Sequence, residues 1–219
     1  AKPGIYSRVK QYVQYFRQHI RWIENYIAVH GKPELIHVHV MLHDGMIALY
    51  IKWKFGIPYV ITEHWTGYLP EATENFANLS SLVRSIFTRV AKNASGISAV
   101  SAYLGKSMKR FFGCDYTIIP NVVNTEIFFP VETQSSKFRF IHFSGLDYQK
   151  NFEQIVEAGK ILKANSTHPF ELIVYGPDNN RFTELIRSYQ LENIILFKGE
   201  VVQDVLAKDL QASDALILY

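Results

Sequence analysis

The chain has 219 residues, of which 48% are hydrophobic and 20% charged, as in an ordinary globular protein. Its net charge of +3 is too small to indicate a nucleic-acid-binding surface, and a single cysteine, Cys114, excludes an internal disulfide and favours a reducing compartment. No apolar run approaches the roughly 20 residues that cross a bilayer, and the first residues lack the apolar core of a secretory signal. We therefore predict a cytoplasmic protein.

The first 32 residues are basic, with six lysines and arginines against one acid, Glu24. Apolar groups at helical spacing predict a helix over 5–29. A basic helix rich in aromatic residues could contact an anionic membrane at its inner face. A solvated helix face explains the same charges, so both interpretations stay open.

The rest of the first half alternates predicted strands with predicted helices. The strands are placed at 34–40, 59–62, 96–100 and 116–119, and the helices through 51–54, over 74–92 and from an N-cap at Ser101 to about residue 112, with a loop at His43-Asp44-Gly45. This rhythm stops in a segment of prolines, asparagines and serines, which predicts an interdomain linker at 121–136.

The rhythm restarts after the linker. Strands are predicted at 138–143, 170–175, 194–197 and 215–218, and helices at 151–164, 181–190 and 204–212. Such alternation predicts α/β architecture, with parallel sheets covered by helices. We expect two Rossmann-like domains, 1–120 and 137–219, that face a cleft. The first residue is not Met and the last residues form an apolar strand, so we expect both domains to be incomplete.

The segment 142–151 is the most informative, because an apolar strand runs into a small-residue turn, then Lys150, then a helix. Amides at a helix N-terminus together with an ammonium group form a phosphate cradle. The chain contains no GxG triplet and no GKS or GKT, so the dinucleotide and P-loop fingerprints are absent.

Histidines near the first strand raise the question of a metal. His37 and His39 alternate along a strand and could converge on one face, with His43 and Asp44 close by. Two histidines are an incomplete zinc set, and no Asp-x-Asp triplet occurs. We therefore predict no metal site.

Several short segments, in this order and at this spacing, resemble one large family. They are ELIHVH at 34–39, GIPYVITEH at 56–64, SAVS at 98–101, IPNVVNTEIFFP at 119–130, LIVYGP at 172–177, LFKGEV at 196–201 and ASDA at 212–215. Together they are similar to the retaining GT-B glycosyltransferases of group 1.

This resemblance implies transfer of a sugar from a nucleoside diphosphate sugar to a saccharide or lipid-linked hydroxyl acceptor, with retention of anomeric configuration, in glycan or glycolipid biosynthesis. It implies neither a metal nor a cofactor beyond the donor. The catalytic residues would be His64 and Lys150. His64, which follows a strand, would contact the sugar, and Lys150 would stabilise the leaving diphosphate. The other residues are assigned in two groups: the donor diphosphate would meet Ser144, Gly145, Lys150 and Asn151, and the nucleotide would meet Gly176, Pro177, Glu200 and Val201.

The chain departs from the family pattern at one visible position, because Gly145 stands where the family usually has an arginine. One of two expected diphosphate cations is therefore missing. The family's paired glutamates would lie beyond Tyr219, and its glycine-rich acceptor loop before Ala1. From this we expect the 219 residues alone to be inactive.

Two other functions stay open. A nucleotide-sugar epimerase of the same architecture would need carboxylates in the cleft, and the stretch 62–70 offers only Glu63, which could instead cap the following turn. A non-catalytic nucleotide- or sugar-binding scaffold is favoured by Gly145.

Overall fold

The computed structural model describes residues 5–132, 137–177 and 179–218, so that part of the predicted linker, 133–136, lies outside the described residues. The chain divides into two compact units, Ala1–Val122 and Val123–Tyr219. Each unit is α/β with a parallel sheet and a hydrophobic core of its own.

In the described part of the first unit, helices and strands follow one another from a long N-terminal helix. The helices are α1 (Ile5–His30), α2 (Met41–Phe55), α3 (Ser81–Asn93) and α4 (Ala102–Phe112). The strands are β1 (Ile36–His39), β2 (Tyr59–Glu63), β3 (Gly96–Ala99) and β4 (Thr117–Ile118), which pair in parallel in the order β1-β2-β3-β4.

The predicted loop at 43–45 is wrong, because these residues lie within α2. A single residue, Val40, turns the chain from β1 into the helix with φ 66, a backbone conformation that is rare for a β-branched residue. Gly45 is needed for packing instead of for a loop. A Cβ there would lie 2.7 Å from Cγ1 of Val90 on α3.

The predicted helix over 74–92 is two elements. A 3₁₀ turn at Phe76–Asn78 is followed by α3, whose N-cap Ser80 accepts a hydrogen bond from the amide of Val83. The apolar spacing continues across this break because Phe76 and Val90 enter the same core. The N-cap at Ser101 is confirmed, since its Oγ accepts from the amide of Leu104 at 3.2 Å.

In the described part of the second unit, strands and helices again alternate. The strands are β5 (Phe138–Phe143), β6 (Phe170–Tyr175), β7 (Ile195–Phe197) and β8 (Ala215–Leu216), in the parallel order β7-β6-β5-β8. The helices are α5 (Phe152–Asn165), α6 (Asn180–Ser188) and α7 (Gln203–Gln211).

The fold places the segments that follow β5, β6 and β7 along one edge of the second sheet. Phe143 pairs with Tyr175, and Val174 pairs with Phe197, so these strands end nearly level. The C-terminal edge of a parallel sheet is where α/β proteins bind ligands.

Candidate functional site

Glu63 ends β2 and is fully buried. Its carboxylate accepts hydrogen bonds from the amides of Met41, His64 and Trp65 at 2.9–3.1 Å and from the hydroxyl of Tyr68 at 3.3 Å. Burial raises the pKa of Glu63, while these hydrogen bonds act in the opposite direction. Glu63 therefore caps α2 as well as the turn after β2. Its carboxylate oxygens are used in hydrogen bonds that stabilise the fold.

His64 lies directly after this carboxylate and is half-buried. Its Nε2 lies 3.4 Å from Nδ1 of His39, and the two rings stack with centroids 5.6 Å apart. The ring centroids of His39 and His37 lie 4.1 Å apart. The predicted convergence of the two strand histidines is therefore confirmed. Three imidazoles thus form a row, with His37 within β1, His39 at its end and His64 just after β2.

A chain of hydroxyl groups fixes the first of these histidines. The hydroxyl of Ser98 donates to the carbonyl of Ile61. The Ser98 oxygen therefore accepts from the hydroxyl of Thr62 at 2.8 Å. Thr62 then accepts from Nε2 of His37 at 2.7 Å. This order of donors requires the Nε2–H form of His37.

A hollow of about 490 Å³ adjoins His39 at the end of β1. Tyr15, His43 and Asp44 line it, and the hydroxyl of Tyr15 donates to Asp44 at 2.7 Å. In the described part of the chain, no three His, Cys, Asp or Glu side chains gather to hold a metal ion. Within its largely apolar lining, the hollow offers hydroxyl, imidazole and carboxylate groups that can form hydrogen bonds with a ligand hydroxyl.

In the second unit, the turn after β5 is held by a histidine that sequence reasoning missed. His142 is fully buried; its Nδ1–H donates to the carbonyl of Ile217, and its Nε2 accepts from the hydroxyl of Ser144 at 2.9 Å. The Ser144 oxygen in turn accepts from the amide of Leu146. The signal available was a polar residue at an inward position of an apolar strand.

The surroundings of His142 favour the neutral imidazole, in which Nε2 accepts from Ser144. Burial lowers the pKa of His142, the hydrogen bond to Ile217 opposes this, and the nearby ammonium of Lys150 lowers the pKa further. Lys150 therefore lies close enough to the turn to act on it electrostatically, although its side chain is exposed.

The structure revises which amides of the turn face outward. The amide of Ser144 donates to Tyr175, and that of Asn151 donates to Tyr148, so neither is free for an anion. Among the described residues, no acceptor meets the amides of Gly145 or of Phe152 and Glu153, the first residues of α5. Asn151 precedes that helix in the left-handed region, φ 41, without a side-chain cap. The N-terminus of α5 is therefore open to an external anion.

Two charged features near this helix were also missed by the sequence analysis. Asp147 lies in the turn, where its carboxylate accepts from the amide of Lys150 at 3.3 Å. Glu153, in the first turn of α5, forms an ion pair with Arg181 at the start of α6. That pair neutralises an acid that would otherwise oppose an anion at the helix N-terminus.

The residues predicted to bind the nucleotide lie beside this turn. The amide of Gly176 donates to the carbonyl of Gly199, which joins the segments after β6 and β7. A Cβ on Gly176 would lie 2.6 Å from the carbonyl oxygen of Ser144, so only glycine fits there. Pro177, Glu200 and Val201 are exposed.

Two family models match the chain. "Glycosyltransferase Family 4" matches residues 1–127, more than half of the chain, and "Glycosyl transferases group 1" matches residues 123–219. The chain belongs to glycosyltransferase family 4. Its two parallel sheets flanked by helices match the GT-B fold of similar solved structures, as predicted.

Solved structures similar to this family 4 chain share its fold at low identity. A sucrose-phosphate synthase from Thermosynechococcus elongatus is 17% identical, with a TM-score of 0.77. The match covers 93% of this chain and 54% of the synthase chain. A lipopolysaccharide outer core galactosyltransferase is 14% identical with a TM-score of 0.60, covering 99% of this chain and 57% of its own. MnaA from S. aureus, solved with UDP, is 15% identical with a TM-score of 0.57, covering 92% of this chain and 56% of its own. The chain thus spans about half the length of these structures.

None of the curated protein sequences matches the chain significantly. In the described residues, no helix is both long and apolar enough to span a membrane.

Proposed function

We propose that the protein transfers a sugar from a nucleoside diphosphate sugar to a hydroxyl group of an acceptor, with retention of anomeric configuration. The observation that carries this proposal is the edge of the second sheet. There, outward amides at Gly145 and at the start of α5 lie in the same turn as the exposed ammonium of Lys150. Family membership supports sugar transfer as the reaction class.

The chemistry follows from where charge develops. When the bond between the sugar and the diphosphate breaks, negative charge grows on the leaving phosphate, and preorganised donors aimed at that charge lower the barrier. Lys150 supplies a full positive charge, and the uncapped amides of α5 supply dipoles. Ser144 and Gly176 contribute indirectly, because their contacts fix the conformation of the turn that carries these donors.

His64 would act on the sugar. Its ring is oriented by His39 and its backbone by Glu63, so its free edge is available to a sugar hydroxyl. The hollow beside His39 would receive the acceptor hydroxyl. In this proposal no metal takes part, because amides and Lys150 provide the counter-charge.

The exposed segment Glu200-Val201 and the Gly176-Pro177 turn would meet the nucleotide. Two solved structures that share the fold contain UDP, namely MnaA and the S. aureus protein TarM. We therefore propose UDP as the first nucleotide to test, with glycan or glycolipid biosynthesis in the cytoplasm as the setting.

A non-catalytic binding scaffold is the second candidate. Gly145 removes one cation, and the Asp147 carboxylate adds a negative charge to the same turn. An epimerase is less well supported, because the four hydrogen bonds to Glu63 leave that carboxylate no free role in elimination.

Calorimetric titration with UDP, GDP and ADP, beside an assay of sugar transfer, tests the proposal on the full-length enzyme, as wild type and Lys150→Ala. We expect one diphosphate to bind, and Lys150→Ala to weaken binding and reduce turnover by at least about tenfold without changing the fold. Lys160→Ala, on α5 and paired with Glu157, is the matched control. Unchanged binding and turnover in Lys150→Ala would refute the phosphate site, and binding without turnover in the intact enzyme would favour the scaffold.

A further inference from the structure

An apolar groove of about 780 Å³ runs between α1, α2 and α3 on the first unit. Its floor and walls are made of aromatic and aliphatic side chains, chiefly Tyr12, Phe16, Met46, Leu49, Trp53 and Ile86. Neither the phosphate turn nor the histidine cluster contributes a residue to this lining, so neither accounts for it.

The charged side chains that line this groove are all basic, in the part of the chain that the structure describes. They are Arg17 from α1, Lys52 from α2 and Arg89 from α3. The ammonium of Lys52 donates to the carbonyl of Asn93 at 2.6 Å. The groove is therefore an apolar surface with a cationic rim.

The rim continues onto the exposed side of α1. Lys10, Arg17 and Arg21 recur at spacings of seven and four residues, so they share one side of the helix. They line a second hollow, which adjoins the groove because both include Val13 and Arg17.

Large aromatic side chains border the groove and the hollow beside it. Trp53 lines the groove and is 81% exposed, and Trp22 lines the second hollow and is 56% exposed. Tryptophan and tyrosine are the residues that membrane–water interfaces favour, since their rings are apolar and each carries a polar group.

The carboxylates nearest this face do not cancel its charge. Glu24 pairs with Lys54 at 2.6 Å, and Asp44 accepts the hydroxyl hydrogen of Tyr15 on the side facing His39. What remains exposed on α1 and around the groove is positive.

We propose that this face docks on an anionic lipid bilayer, with the aromatic side chains in the headgroup region and the basic rim against the lipid phosphates. Charge complementarity decides the occupant, because a cationic rim around an apolar groove matches a surface that is negative outside and apolar beneath. Attachment is peripheral. Binding does not depend on glycosyl transfer, so it can be measured whether or not the proposed function holds.

The test is sedimentation of the chain with phosphatidylcholine vesicles, with and without about 30% phosphatidylglycerol, since each basic residue near an anionic surface contributes about fivefold. We expect binding to the anionic vesicles only. The double variant Arg17→Gln/Arg21→Gln should bind about thirtyfold more weakly. The matched control is Lys106→Gln/Arg110→Gln, which removes the same charge from exposed positions on α4 and should bind like the wild type.

A second readout locates the contact. Trp53→Ser should weaken binding by at least about fivefold, because apolar area buried in the interface is lost. Brominated lipids should quench the fluorescence of Trp53, while Trp65, whose ring packs against Gly67 and Tyr68, should keep its emission. Equal melting temperatures for all variants show that these exposed substitutions leave the fold intact.

Three results would overturn the proposal. They are equal binding to neutral and anionic vesicles, no binding to either, and loss of binding in the α4 control as large as in the α1 variant. Concentration-dependent self-association that Trp53→Ser abolishes, without vesicle binding, would assign the groove to a second copy of the chain instead.

Discussion

At the scale of single residues, the ring of His64 is positioned by a second histidine, His39. Its side chain meets His39, and its backbone amide meets Glu63, whose buried carboxylate also fixes Trp65 and Met41. A residue held at its backbone and at its ring loses little freedom when it meets a ligand, which is what a positioned catalytic group needs.

In the full-length enzyme, we expect His64→Ala to slow sugar transfer more than it weakens nucleotide binding, because we propose that His64 acts on the sugar and it lies outside the phosphate turn. His39→Ala should give a smaller loss of the same kind, since it removes only the orienting contact. Steady-state kinetics beside nucleotide titration separates the two quantities. His168→Ala, an exposed histidine of the second unit, should change neither. Equal loss of both quantities in His64→Ala would make His64 structural.

At the scale of elements, the junction from β5 to α5 joins three parts of the second unit. His142 ties the end of β5 to Ile217, beyond β8, and to Ser144 in the turn, and its ring packs on Phe152 at the start of α5. Because burial and the nearby ammonium of Lys150 lower the pKa of His142, this junction is sensitive to acid.

The pH dependence of stability has a definite sign here. The pKa of His142 in the folded chain lies below its unfolded value of 6.5. Just below that pH, the unfolded chain therefore binds a proton at this histidine that the folded chain does not bind. Stability of the second unit should fall as the pH falls below about 6.5, and the variant His142→Asn should lack that part of the slope. Urea unfolding at pH 7.5, 6.5 and 5.5, roughly spanning this window, measures it. Identical slopes in both proteins would contradict the prediction.

The ion pair between Glu153 and Arg181 joins α5 to α6 at the proposed diphosphate site. We expect Arg181→Gln to weaken diphosphate binding about threefold to tenfold, because it leaves Glu153 unneutralised at the helix N-terminus. Glu153→Gln should bind at least as tightly as the wild type, and the double variant should regain most of the loss. Calorimetric titration of the wild type, the two single variants and the double variant gives the coupling free energy between Arg181 and Glu153 in diphosphate binding. Additive losses would mean that Arg181 has no such role. The exposed pair should contribute little to folding stability.

At the scale of the whole molecule, the described residues form two units with separate cores. Ile61 is buried in the first core, and Ile141 is buried in the second unit. Each unit also pairs its own strands, and no strand pairing recorded in the described residues joins one sheet to the other.

We expect urea unfolding to proceed in two steps. Ile61→Val should destabilise the first unit by about 0.5–1.5 kcal/mol and leave the step of the second unchanged, and Ile141→Val should do the reverse, because each deletes one buried methyl group. Circular dichroism, with tryptophan emission as a probe of the first unit alone, separates the steps, since Trp22, Trp53 and Trp65 all precede residue 123. A single step shifted equally by both variants would show that the units are coupled.

Periodicity predicted most elements because each strand and helix buries one face, which the spacing of apolar residues records. It failed at 43–45, where polar residues and a glycine imitate a loop but serve the start and the packing of α2. It also joined Phe76 to α3, because both contribute to one core and spacing alone does not show the break at Ser80.

The sequence by itself determined the α/β alternation, the family and the residues that end the strands, because strand ends and glycine turns are local features of the chain. Only the tertiary structure decided which groups are free to act. Met41 and Tyr68 reach Glu63, Ile217 reaches His142, and Arg181 reaches Glu153, each across a sequence gap or an element boundary that spacing does not encode. Hydrogen bonds and ion pairs depend on distances in space, and these set whether an amide, an imidazole or a carboxylate remains open to a ligand.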